Sequence, residues 1–212
     1  MYADQAQMIA KRKQTASIVC LVSAVVLAVS LFLPWLKSTK RMNMSMTLLS
    51  IEQCDPSGDR CESMSNLKLA REMKKAYERS MEFRAGDDDM PSPKKPGTSF
   101  AYFGIITLGL GLIAAASLLA SGVLGMTGRF IREPIAITTV GLLTTCLCLI
   151  TGCIFVAVKP GDEGPMRLLG VSWPFFIFGA AVVAGVAGCQ MLAKAFAPPE
   201  YDPYADPTQP QL

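Results

Sequence analysis

Residues 96–128 read PGTSFAYFGIITLGLGLIAAASLLASGVLGMTG, 33 positions without one Asp, Glu, Lys or Arg. A helix needs about 20 consecutive apolar residues to cross a hydrocarbon core of about 30 Å, and this run exceeds that. Three more charge-free windows accompany it, at 14–36, 134–158 and 168–193, with 23, 25 and 26 residues. One such window could be the buried helix of a soluble protein. Four of them in 212 residues point to a bilayer. Composition agrees, because only 17% of the chain is charged, against about 25% in soluble domains. The expected fold class is membrane all-α, a four-transmembrane-helix bundle with a small extracellular α+β cap from the first outer loop.

The windows divide the chain. A basic cytoplasmic tail is expected at 1–14, then transmembrane helix 1 at 15–36 and a large outer loop at 37–97. Helix 2 follows at 98–126, a cytoplasmic turn at 127–134, helix 3 at 135–158, a short outer loop at 159–167 and helix 4 at 168–197. The proline-rich segment 198–212 has no apolar period and reads as a disordered cytoplasmic tail. The first window follows Lys11-Arg12-Lys13 as a signal peptide would. It is longer than the 7–15 residues of a signal core, lacks a small-residue cleavage site and ends in Leu33-Pro34-Trp35, so it reads as a retained helix. Trp35 and Trp173 stand at helix ends, where an indole suits the membrane–water interface. Small residues at four-residue spacing, Gly111 with Ala115, Ala181 with Gly185 and Ala184 with Gly188, allow close helix packing, either within one bundle or against other subunits.

The outer loop carries its own pattern. Met42, Met44, Met46 and Leu48 alternate with polar residues, as in a half-buried strand over about 41–51. A lone hairpin is marginal in water, so those methionines need cover from the second outer loop, the following helix or another protein. Residues 65–84 are helix-periodic, with Leu69, Met73, Ala76, Tyr77 and Met81 on one face and Lys68–Glu72 and Lys74–Glu78 as i,i+4 pairs. Met42, Met44, Met46, Leu48, Leu69, Met73 and Tyr77 form the candidate interaction surface. Cys54 and Cys61 are the only cysteines outside the apolar windows and flank the turn signal Asp55-Pro56-Ser57-Gly58. They are expected to form a disulfide, the alternative being two free thiols in a cytoplasmic loop. Loop charges do not orient the chain, since six basic residues near the helix ends fall on one side and seven on the other. The cysteine pair does, because disulfides persist in oxidising compartments. It places both termini in the cytoplasm and the large loop outside.

The sequence also excludes chemistry. It contains no histidine, which removes Ser-His-Asp catalysis and most transition-metal sites. No Asp, Glu, Lys, Arg or His lies in any window, whereas pumps and ion-coupled transporters bury such groups at membrane depth. Cys146, Cys148 and Cys153, with Cys20 and Cys189, read as small packing residues, because Cys-x-Cys on a helix turns its thiols about 200° apart. Cys189 is also a candidate for S-acylation. Asn43-Met44-Ser45 fits the glycosylation pattern, but it lies so soon after Trp35 that no glycan is expected. No enzyme activity, cofactor, metal or nucleic-acid partner is expected.

These features together resemble the claudin and peripheral-myelin-protein group of tetraspan membrane proteins. The resemblance rests on Pro34-Trp35 closing the first helix, Ile51 three positions before Cys54, the Cys54…Cys61 pair, and Glu163, Gly164, Gly170 and Trp173 leading into the fourth helix. Leu49-Ser50-Ile51 stands where that group has Gly-Leu-Trp. The resemblance implies cytoplasmic termini, a small disulfide-bonded outer sheet and a role in protein–protein assembly in or across the cell membrane. The expected partners are the lipid bilayer and other membrane proteins or further copies of this chain. A second expectation, from the residues alone, is a transport path lined by Thr138, Thr139, Thr144, Thr145 and Thr151.

Overall fold

A computed structural model of the chain describes residues 2–38, 43–55, 60–84, 95–127, 134–160 and 169–196. Met42, the turn signal at 56–58, the linker 85–94, the turn 128–133, the loop 161–168 with Glu163 and Gly164, and the tail 197–212 lie outside the described residues. Among the described residues, five helices and five strands follow one another: α1 (Tyr2–Phe32), β1 (Leu36–Ser38), β2 (Asn43–Met46), β3 (Ser50–Cys54), β4 (Cys61–Ser65), α2 (Asn66–Arg84), α3 (Ser99–Thr127), α4 (Pro134–Ala157), β5 (Gly170–Val171) and α5 (Trp173–Phe196).

Among the described residues, four helices are long and apolar enough to cross a membrane, at Gln7–Phe32, Ser99–Thr127, Thr138–Ala157 and Trp173–Phe196. They pack side by side: α1 lies against α3 and α5, and α4 against the same two helices from the other side. On α1 the buried face is Ala16, Cys20, Ala24, Leu27 and Leu31, at the three- and four-residue spacing of a single stripe. Val22, Val25 and Val29 point outward. The buried stripe thus joins small residues near Ala16–Ala24 to the larger Leu27 and Leu31.

The expected boundaries shift where local chemistry decides. Helix α1 begins at Tyr2 instead of 15, because residues 2–14 contain neither Gly nor Pro and a helix already nucleated propagates through good formers at little cost. Pro134 is the first residue of α4, where its missing N–H costs nothing. Helix α5 begins at Trp173 instead of 168, because Gly170–Val171 extends a sheet and Pro174 suits only the first helical turn.

The sheet is antiparallel, in the order β4-β3-β2-β1-β5. Residues 41–51 were expected as one strand. Residues 43–51 form instead strand β2, a tight turn and the start of β3, and 41–42 lie outside the described residues. Thr47 makes that turn without Gly or Pro: its N–H donates to the Ser50 carbonyl at 2.8 Å. Its hydroxyl accepts from the backbone N–H of Leu49 and Ser50 at 3.2 and 3.0 Å. Such a hydroxyl mimics a backbone turn. Strand β1 is held on both sides, by β2 through Leu36↔Met46 and by β5 through Leu36↔Val171. The strands flanking α1 and α5 therefore bind the sheet to the ends of two helices.

Candidate functional site

The sheet has two unlike faces, as side chains alternate along each strand. The row Leu36, Met46, Ile51, Met64 runs across four strands on one face, and Leu36, Met46 and Ile51 belong to the core. The adjacent row Lys37, Ser45, Glu52, Ser63 lies on the other. Lys37, Glu52 and Ser63 are exposed, and the Ser45 hydroxyl lies 3.5 Å from a Glu52 carboxylate oxygen. Asn43 is exposed on this open face. It stands opposite Cys54, which is bonded to Cys61. The cap therefore presents a polar surface on a scaffold fastened to the bundle by its apolar side.

That fastening revises the expected interaction surface. Met44, Met46 and Leu48 are at most 2% exposed, so the chain itself covers them and they are not free to meet a partner. Leu69 and Met73 pack against the same core from α2, and Tyr77 is half-buried. The hairpin tip reaches the first turns of α3, where the Leu48 carbonyl sits against Gly104 so closely that a Cβ there would overlap it. Asn66, the first residue of α2, clamps the same tip. Its Nδ2 donates to the carbonyls of Thr47 and Leu48 at 3.1 and 3.0 Å, and its backbone N–H donates to Leu49 at 2.8 Å. Asn66 is 1% exposed, so these bonds are shielded from water. Asn66→Asp keeps the shape, removes both side-chain donors and sets a carboxylate against carbonyl oxygens. It is expected to destabilise the cap by about 2 kcal/mol or more, read as accelerated amide exchange in β2 and β3.

Trp35 is also reassigned. It is fully buried and does not stand at a lipid interface. Its Nε1 donates to the Ser30 carbonyl at 2.8 Å. Its ring packs on Phe155, Phe175 and Phe178 at centroid distances of 6.0, 5.4 and 4.5 Å. Its backbone joins the sheet, accepting from Ser172 and donating to Met46. Trp173 is 62% exposed.

The small-residue stripes face inward. A Cβ on Gly111 would press on Leu31 at 2.7 Å, one on Gly185 on Leu118 at 2.8 Å, and one on Gly188 on the Cys20 sulfur at 2.8 Å. Ala115 and Ala181 are buried as well. These positions are used by packing within the bundle. Cys20, Cys148 and Cys189 are buried there too, while Cys146 and Cys153 face outward. On α4 the Thr144 hydroxyl donates to the Val140 carbonyl at 2.8 Å and the Thr151 hydroxyl to Cys148 at 3.1 Å. Thr145 bonds the Gly141 carbonyl in the same way. The hydroxyls serve their own helix, as buried helical threonines do. Thr138 and Thr139 line a cleft of about 90 Å³ with Leu142, Cys189, Gln190 and Ala193.

Cys54 and Cys61 face each other across β3 and β4 and are bonded, with Asp55 N–H donating to the Arg60 carbonyl at 2.9 Å to close the loop. Glu52 lies beside them, but both sulfurs are engaged with each other and supply no thiolate ligand. Of the two expected ion pairs on α2, Lys74–Glu78 closes to 3.9 Å at an exposed position, where such a pair contributes little. Gly104 and Asn66 were not singled out by the sequence. The first looks like any glycine of a glycine-rich helix, and the second lacks the sequence neighbourhood that would reveal a contact across 18 residues. No protein-family model matches the chain, and no curated protein matches it.

Proposed function

We propose that this chain is an integral membrane protein of four spans whose outer cap makes protein–protein contacts in or between cell membranes. In this reading it works without catalysis of its own, as a claudin-like assembly unit or as the accessory subunit of a larger complex. Both termini lie in the cytoplasm. The observation that carries the reading is the open polar face of the sheet. Lys37, Ser45, Glu52 and Ser63 form a row with both charge signs, held by strands whose opposite face is buried. A rigid, mixed-charge surface of this kind gives partner choice and register, and nothing about it suits binding a small molecule in a cleft. The assembly surface is thus the polar row and not Met44 and Met46, which are spent on the cap's own core. Transport along α4 is less well supported, because the hydroxyls of Thr144, Thr145 and Thr151 are turned to helix carbonyls.

Copies carrying two fluorophores, co-reconstituted at low density in liposomes, test this reading. Energy transfer above that of a random mixture is expected, and Lys37→Glu with Glu52→Lys in only one of the two copies is expected to weaken association about tenfold by juxtaposing like charges. Monomers at every density, with no partner crosslinked in native membranes, would overturn it. Cys54 and Cys61 labelled as free thiols from the cytosolic side would overturn the orientation.

A further inference from the structure

Two contacts set the register in which α1 and α5 run against each other. Lys13 Nζ lies 4.2 Å from the centre of the Phe196 ring. Seven residues deeper along both helices, Cys20 of α1 meets Cys189 of α5. The two thiols interact directly, and neither is bonded to another cysteine. The backbones also come close here. A Cβ on Gly188 would stand 2.8 Å from the Cys20 sulfur and 3.3 Å from the Cys20 backbone nitrogen, an approach that suits the short Cα separation of a disulfide. A buried thiol is inert where no reagent reaches it, but this pair has an access route. Cys189 lines the cleft of about 90 Å³ between α4 and α5, and Thr139, Gln190 and Ala193 at its border are exposed. That volume admits more than one water-sized molecule. Cys20 lies behind Cys189 and does not line the cleft, so a reagent entering there meets Cys189 first.

We propose that Cys20 and Cys189 are an oxidation site, which takes a hydroperoxide small enough to enter the cleft and yields a disulfide joining α1 to α5. The Cys189 sulfur attacks one peroxide oxygen, and the O–O bond breaks. With hydrogen peroxide the departing oxygen leaves as water, taking up the thiol proton, and Cys189 becomes a sulfenic acid. The Cys20 sulfur then attacks the Cys189 sulfur, the S–O bond breaks, and a second water carries away the Cys20 proton. Two thiols have then lost two electrons, and the peroxide has gained them. The site lies toward the end of the bundle that carries Lys13 and Lys194, opposite the cap with its Cys54–Cys61 bond. Nothing in this chemistry depends on how the cap is used.

Peptide mapping tests it. The full chain in phosphatidylcholine liposomes is treated with hydrogen peroxide, denatured in excess maleimide, digested without reductant and read by mass spectrometry. The expected product is a peptide pair joined through Cys20 and Cys189, lighter than its two parts by the lost hydrogens and released by a dithiol. Cys148 serves as the buried control, since its sulfur donates to the Thr107 carbonyl at 3.6 Å, and it is expected to stay reactive to maleimide. Cys20→Ser is expected to abolish the link and leave Cys189 as a sulfenic acid that a cyclic diketone traps. Cys189→Ser is expected to leave Cys20 reduced. Cys20 and Cys189 both still reactive to maleimide after the outward-facing Cys146 has been oxidised would overturn the proposal. Separate oxidised acids without a link, or links pairing either residue with Cys146 or Cys153, would overturn it as well.

Discussion

Replacing Gly104 by alanine is expected to cost about 3 kcal/mol, the upper part of the range for forcing extra volume into a packed interior. The cost arises because one side of the contact is backbone. The added methyl would overlap the Leu48 carbonyl oxygen and meet its carbon at 3.1 Å, and that carbonyl is already held by Asn66 Nδ2 at 3.0 Å. A flexible side chain could swing away, but a clamped hairpin tip must lift as a unit. Lifting it uncovers Leu48, which is 1% exposed, and breaks the Asn66 bonds. Gly109, five residues along the same helix, has nothing within 4 Å of the Cβ site. There the same substitution is expected to be neutral or to stabilise by up to about 1 kcal/mol through helix propensity. Unfolding in mixed detergent measures both. Similar losses at the two positions would mean that the hairpin tip does not dock on α3.

Trp35→Ala is expected to have the largest effect of any single truncation, about 4 kcal/mol. The ring is fully buried among three phenylalanines contributed by α4 and α5, so its removal leaves a cavity walled by several elements that cannot all close in. The Nε1 donor to Ser30 is lost as well, which adds on the order of 1 kcal/mol. Trp35→Phe separates the two contributions, since it retains most of the apolar contact and drops the donor, and it is expected to cost less than half as much. If both variants unfolded at the same detergent fraction as the unaltered protein, the aromatic cluster would not be what joins α1 to α4 and α5.

Much of this architecture was legible in the residues. Windows such as 96–128 declare a helix by length and by lack of charge, and α3 fills that window almost end to end. The pairing of Cys54 with Cys61 followed from their isolation from the other cysteines, and helix α2 from its period. What escaped notice depends on contacts between distant segments. Strand β5 is two residues long and exists because β1 offers it an edge, so no local pattern announces it. The turn at Thr47 hides in a run of apolar and hydroxyl residues, because a threonine hydroxyl does there what glycine or proline usually signals. Trp35 misled for a related reason. An indole at a helix end fits a lipid interface equally well as sequence, and only the phenylalanines of two later helices decide otherwise. The Met44 and Met46 alternation correctly marked a buried face, but could not say that the chain supplies its own cover.

The position of β1 has a consequence for how the molecule is made. This strand follows the first helix, yet its second neighbour, β5, and two of the three rings around Trp35 belong to residues 170–178. A nascent polypeptide halted before that point carries an open strand edge at β1 and an uncovered indole at Trp35. The sheet and the aromatic cluster around Trp35 can therefore close only once synthesis has passed Phe178, so a completed sheet reports that the chain has been made beyond that point.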